Sequence, residues 1–194
     1  MASPSDQPCR GSEDYPLRVD PLSVPGTSGL IGMTICPGKM GASLYGPAWC
    51  RDLDIDLKAV SAWHPDVVVT LMEEWEFAHL GVPGLGAAVE AAGLRWLHLP
   101  IPDTRAPGPT FDRLWRDEGP EVRRILREGG RVLVHCRGGL GRTGTVAAQL
   151  LVEFGVEPEA AIEAVRRARR GAIETRIQEE YVLGLHLPDA SSDR

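Results

Sequence analysis

The chain of 194 residues is 43% hydrophobic and 25% charged, which is enough for one well-buried core and too little for two. Its formal net charge of −6 argues against a general attraction to nucleic acid or an anionic membrane, so neither is expected as a partner and any anion site has to be local. No apolar run reaches the roughly 20 residues that span a bilayer, and the opening MASPSDQPCRGSEDYP lacks the apolar segment of a secretory signal, so a cytoplasmic protein is expected.

Residues 1–28 are rich in Pro, Ser and Gly and are expected to form a flexible tail, ahead of a folded domain over 29–188 and a second tail over 189–194. Cys9, Cys36, Cys50 and Cys136 show no close pairing, and reduced thiols are expected. The histidines have no ligand spacing, so neither a metal nor another cofactor is expected.

Short β-branched runs over 30–36, 67–71, 94–99 and 131–136 predict strands. Leu53, Leu57, Ala59 and Val60 recur at helical spacing ahead of His64-Pro65, and Glu73-Glu74-Trp75-Glu76 reads as the acidic start of another helix. The apolar positions from Phe111 to Leu126 predict one long helix or a helix broken at Gly119-Pro120. Val146, Ala147, Leu150, Leu151 and Phe154 form a stripe that stops at Gly155, Pro158 begins a further helix, and a last one covers 175–187. The arginines within 166–170 spread around several helix faces and read as solvated. The alternation predicts an α/β single domain with a central, mostly parallel sheet of about four to five strands flanked by helices.

Between the 131–136 strand and the helix led by Val146 lies HCRGGLGRTGT, residues 135–145. Its GLGRTG satisfies the GxGxxG pattern of a dinucleotide loop, but that fold needs a strand with an acidic residue after the next helix. Here a second helix follows, so the nucleotide reading fails. The alternative chemistry starts from Cys136. Backbone N–H groups of Arg137, Gly138, Gly139, Leu140 and Gly141, together with the helix N-terminus, can cradle a phosphate dianion, and the same field favours a thiolate over a thiol of ordinary pKa about 8.5. Arg142 can grip two phosphoryl oxygens with its planar fork. Thr143 can donate its hydroxyl to the sulfur, and His135 can orient the loop. Either the ring of His135 does this or it serves packing alone.

HCRGGLGRT resembles the HCx5R[ST] loop of the cysteine-dependent protein tyrosine and dual-specificity phosphatases. GGLGR, ICPG at 35–38, HLPIPD at 98–103 and GAIET at 171–175 are similar in order to segments of the subgroup of cyclin-dependent-kinase-associated phosphatases and their bacterial relatives. The resemblance implies the corresponding phosphatase fold over about residues 30–185, a phosphocysteine intermediate, and a general acid in a loop before the signature. Asp103, 33 residues ahead of Cys136 in a loop rich in Pro, fits that place; Asp112 is a rival near a helix start, where an acid has an ordinary capping reason. Tyrosine-specific relatives position water with a late glutamine. The matching place holds Glu174, with Gln178 one turn beyond, and Gln178 is equally readable as a surface residue.

The expected partner is therefore a phosphorylated protein or a small phosphate ester, with phosphotyrosine favoured and phosphoserine or phosphothreonine next. Lipid-phosphatase relatives carry two basic loop residues, whereas Arg137 is paired here with Leu140, which disfavours inositides. A rhodanese-like sulfurtransferase also uses a loop cysteine, but the Arg142-Thr143 ending fits phosphatases better. A phosphate-binding module without turnover would need neither Cys136 nor Asp103. Cys36 and Cys50 read as small core residues rather than partners for an oxidised Cys136.

Overall fold

In a computed structural model of the protein, residues 9–43 and 46–187 are described. The chain runs β1 (Asp20–Ser23), β2 (Leu30–Thr34), β3 (Met40–Gly41), β4 (Trp49–Cys50), α1 (Leu53–Trp63), β5 (Val67–Thr70), α2 (Glu74–His79), α3 (Leu85–Ala91), β6 (Arg95–His98), α4 (Pro109–Arg127), β7 (Arg131–His135), α5 (Gly141–Glu153), α6 (Pro158–Ala168) and α7 (Arg176–Leu183). Five strands form one sheet in the order β1-β2-β7-β5-β6. Only β1 is antiparallel to its neighbour, so the mostly parallel sheet expected from the alternation of elements is present.

Both faces of this sheet are covered, as parallel strands require. Along β5 and β7, Val67, Val69, Val132 and Val134 enter one core with the apolar sides of α4, α5 and α6, while Val68 and Leu133 enter the other with Leu57, Val60, Phe77 and Leu85. The twofold alternation of side chains thus feeds two cores from the same strands. The central strand β7 delivers Cys136 to the carboxyl edge of the sheet, where crevices in open α/β folds form.

Three expectations need correction. Residues 9–28 are not a tail: Asp20–Ser23 pairs with β2, and Leu17, Leu22 and Val24 are buried. Pro21 lies within this strand, and on an edge strand a missing N–H costs little. The remaining tail residues, 1–8 and 189–194, lie outside the described residues. The cysteines are not all thiols either, since Cys9 and Cys50 form a disulfide across 41 positions, leaving Cys36 and Cys136 free and buried. Of the two readings of 111–126 the unbroken helix is the one formed, since α4 passes through Pro120; burial of Phe111, Trp115, Val122, Ile125 and Leu126 along one side outweighs the lost backbone hydrogen bond. The last helix is shorter than expected, ending at Leu183 before Gly184.

Among the described residues no helix is long and apolar enough to cross a membrane, and no cluster of His, Cys, Asp and Glu could hold a metal ion.

Candidate active site

The turn from β7 into α5 is built so that its amides face inward. Gly139 has φ 66°, and a Cβ there would lie 2.1 Å from the Thr34 carbonyl oxygen, so only glycine fits. Its N–H donates to Cys136 Sγ at 3.2 Å. The carbonyls of Gly138 and Gly139 instead accept hydrogen bonds from the Arg169 guanidinium, which is itself paired with Asp20 of β1 at 2.7 Å. Arg169 thus pulls the carbonyl side of the loop away from the sulfur. Its place among the arginines of 166–170 predicts a solvated charge, yet its contact is with a turn 30 positions earlier, which periodicity cannot show. Gly144 has a packing role, because a Cβ would meet Ala172 and Ile173 at 2.9 Å.

Arg142, one residue into α5, is buried at 2% exposure and held from below. Its Nη1 and Nη2 donate to Glu76 Oε2 and Oε1 at 2.6 and 2.9 Å, and Nη1 also reaches the Ile101 carbonyl at 3.1 Å. Burial opposes its charge, but the hydrogen bonds to Glu76 and the negative groups around it prevail and hold its pKa above the ordinary value. The sequence predicts Glu76 only as part of an acidic helix start. It does complete a capping box with the Glu73 N–H, and this local role hid the distant one.

Asp103 lies over the same arginine, with Oδ1 2.9 Å from Arg142 Nη2 and Oδ2 3.9 Å from Arg137 Nη1. Its loop is shaped by Thr104 at φ 62°, whose N–H donates to Asp103 Oδ1 at 3.0 Å. The loop docks on the start of α7: Thr175 Oγ1 donates to the Thr104 carbonyl and Gln178 Nε2 to the Arg105 carbonyl, both at 3.1 Å. Gln178 is therefore not a surface residue. It is 1% exposed, and its Oε1 also accepts the N–H groups of Glu174 and Thr175. Glu174 Oε2 accepts the Gly141 N–H at 2.8 Å, which removes that amide from the set expected to hold phosphate. Asp112 sits in the first turn of α4, its ordinary structural place.

His135 is fully buried, and its Nε2 shares a 2.7 Å hydrogen bond with Thr70 Oγ1, which also accepts from Trp96 Nε1. Burial pushes its pKa down to about 4, only partly opposed by the Cys136 backbone and reinforced by the charges of Arg142 and His98. Thr143 does not make the expected bond to sulfur. Its buried Oγ1 has no hydrogen-bond partner, and the sulfur takes its donor from Gly139 instead.

A cavity of about 580 Å3 opens above Cys136, and Arg137, Gly138, Leu140, Arg142, Asp103 and Glu174 line it. Its opposite wall comes from the β2–β4 region, through Lys39 and Trp49. Neither was singled out in the sequence, and no motif or periodicity marks them.

Residues 49–156 match the family model described as "Polymorphic toxin system, DSP-PTPase phosphatase". The chain is 28% identical over 183 residues to cyclin-dependent kinase inhibitor 3 of Rattus norvegicus, covering 92% of this chain and 82% of that one. Among solved structures, it is similar to a kinase associated phosphatase carrying serine in place of its catalytic-site cysteine, with 26% identity, TM-score 0.77, and coverage of 89% of this chain and 99% of that one. It is also similar to Tk-PTP in its active form, at 31% identity and TM-score 0.62, covering 87% and 95% of the two chains. With more than half of the chain inside the family model and the shared sheet and loop carrying the likeness across nearly all the rest, the protein belongs to the DSP-PTPase phosphatases, hydrolases of the cysteine-based tyrosine and dual-specificity superfamily.

Proposed function

We propose that the protein hydrolyses phosphotyrosine in proteins, with phosphoserine and phosphothreonine as further substrates, through a phosphocysteine intermediate. The observation that carries this reading is the convergence on one cavity of Cys136 Sγ with its Gly139 N–H donor, of Arg142 held by Glu76, and of Asp103 2.9 Å from that arginine.

In the first step the Cys136 thiolate attacks phosphorus, an S–P bond forms, and the ester P–O bond breaks with its electron pair leaving on oxygen. Asp103 gives that oxygen a proton. Arg142 and the loop amides match the charge spread over the three equatorial oxygens, and the phosphate takes over the edge of Arg142 that Asp103 occupies. In the second step water attacks phosphorus, Asp103 takes its proton, and the sulfur leaves as thiolate. Gln178 acts by holding the Asp103 loop, since its amide is committed to Arg105 and the α7 cap. Glu174 uses one oxygen on Gly141, and its other oxygen is the acceptor assigned to the attacking water.

The test is phosphate release from an aryl phosphate and a phosphopeptide panel by the wild type and Cys136→Ser. Turnover should vanish in the serine variant while substrate still binds; undiminished turnover there overturns the mechanism.

A further inference from the structure

The cavity carries more positive charge than one phosphate monoester needs. A bound phosphoryl group is served by Arg142 and the loop amides, and neither cavity carboxylate is free for a second cation, since Glu174 accepts the Gly141 N–H and Asp103 carries the proton for the leaving oxygen. Lys39 is left over. It is 7% exposed, yet among the described residues no carboxylate or carbonyl hydrogen-bonds its ammonium group. Its ammonium faces the Trp49 ring instead, whose centroid lies 5.7 Å from Nζ. Burial, reinforced by Arg137, lowers its pKa, and the thiols of Cys36 and Cys136 oppose that shift. Its stem is buried while its ammonium borders the cavity, and a cation so placed with no anion beside it is relieved when the substrate brings one.

We infer that Lys39 receives a second anionic group of the substrate, placed beside the scissile phosphate on the side of the cavity formed by Trp49. This specificity rests on the phosphatase reading. The ligand chemistry is a phosphomonoester whose molecule carries a neighbouring phosphate or carboxylate. Lys39 takes no part in bond making, so it determines selectivity rather than acting as a catalytic residue.

Two readouts test this. Calorimetric titration compares orthophosphate with pyrophosphate, which adds a second phosphate to the first and requires no turnover. The wild type should bind pyrophosphate about tenfold more tightly, a preference lost in Lys39→Met and kept in Lys39→Arg. Methionine matches the length of the buried stem, and the arginine variant guards against a fold defect in the first.

Kinetics then identifies the carrier of the second anion. One arm sets a phosphotyrosyl peptide with Glu beside the phosphotyrosine against the same peptide with Gln; the other sets a small 1,2-bisphosphate against its monophosphate. The arm in which kcat/KM falls with Lys39→Met names the source. Equal affinity for the two inorganic anions in the wild type, or a preference that survives in Lys39→Met, overturns the inference. Absence of turnover with every ester, alongside an intact pyrophosphate preference, would instead overturn the phosphatase reading and leave the anion site standing.

Discussion

Glu76 closes both carboxylate oxygens on the Arg142 guanidinium, at 2.6 and 2.9 Å, and the two side chains are buried together at 0% and 2% exposure. The pair fixes the plane of the fork that has to meet the phosphoryl oxygens. A fork that is pre-set loses less freedom when the transition state forms.

Glu76→Gln keeps the shape but weakens the charge pairing, and should lower kcat about 100-fold through misplacement of Arg142. Glu76→Ala leaves a buried charge unpaired and should also lose about 3–5 kcal/mol of stability. Steady-state kinetics and urea denaturation of the two variants separate these effects.

Asp103→Asn should slow hydrolysis of phenyl phosphate by about 100-fold or more, because the poor leaving group needs the proton. With a nitrophenyl ester, whose oxygen leaves without help, the loss of the first step should be much smaller. A plot of rate against leaving-group pKa for the wild type and the variant reads the difference directly; parallel lines would remove Asp103 from the acid role.

Gly139 and Gly138 are neighbours with opposite tolerance. An added methyl at Gly139 would run into the Thr34 backbone at a positive φ, whereas at Gly138 nothing lies within 4 Å. Gly139→Ala should therefore destabilise the fold by about 2 kcal/mol or more, and Gly138→Ala should stay within about 0.5 kcal/mol of wild type. Thermal unfolding of the two variants measures the contrast.

His135 is held neutral by burial, which pushes its pKa down to about 4 from an ordinary 6.5. Its folded pKa is depressed, so the unfolded chain binds more protons between those values. The stability it contributes is present above pH 6.5 and is lost as pH falls towards and through 4. The difference in unfolding free energy between wild type and His135→Gln should accordingly shrink across that window. Catalysis near neutral pH should show no limb from this residue.

The Cys9–Cys50 bond closes a loop of 41 positions that includes β1 to β3. Loop-closure entropy makes it worth about 3–4 kcal/mol. Cys50→Ser, or a reductant, should lower the melting temperature and loosen the wall that carries Lys39 and Trp49; calorimetry with and without dithiothreitol checks this.

The parts of the site that were legible in the sequence are those whose chemistry is local. Cys136, the glycines and Arg142 fall on one turn, and the strand before it and helix after it could be read from periodicity. Asp103 was reachable because a loop after a strand is where a family resemblance placed the acid. Glu76, Arg169 and Lys39 were not, because each acts on a residue far along the chain while having a sufficient local explanation as a cap, a helix charge or a loop residue. The same reason hid β1. Asp20–Ser23 has too few residues, and a proline among them, to announce a strand, and only pairing with β2 makes it one. Thr143 shows the converse, a motif residue whose position was legible and whose expected hydrogen bond to sulfur is not formed.

Asp20 and Arg169 join positions 149 apart in the chain, and neither falls within the residues 49–156 that the family model matches. Glu76, Asp103, Cys136 and Arg142 all do. The groups that break the ester bond thus occupy one continuous stretch, while the brace behind their loop, the lysine facing it, the hold of Thr175 and Gln178 on the Asp103 loop, and Glu174 come from the flanks. Exchanging the flanks between relatives would change how stiffly the loop and its acid are held, how water is placed for the second step and which anions are admitted, while the groups that cleave the ester bond stay as they are.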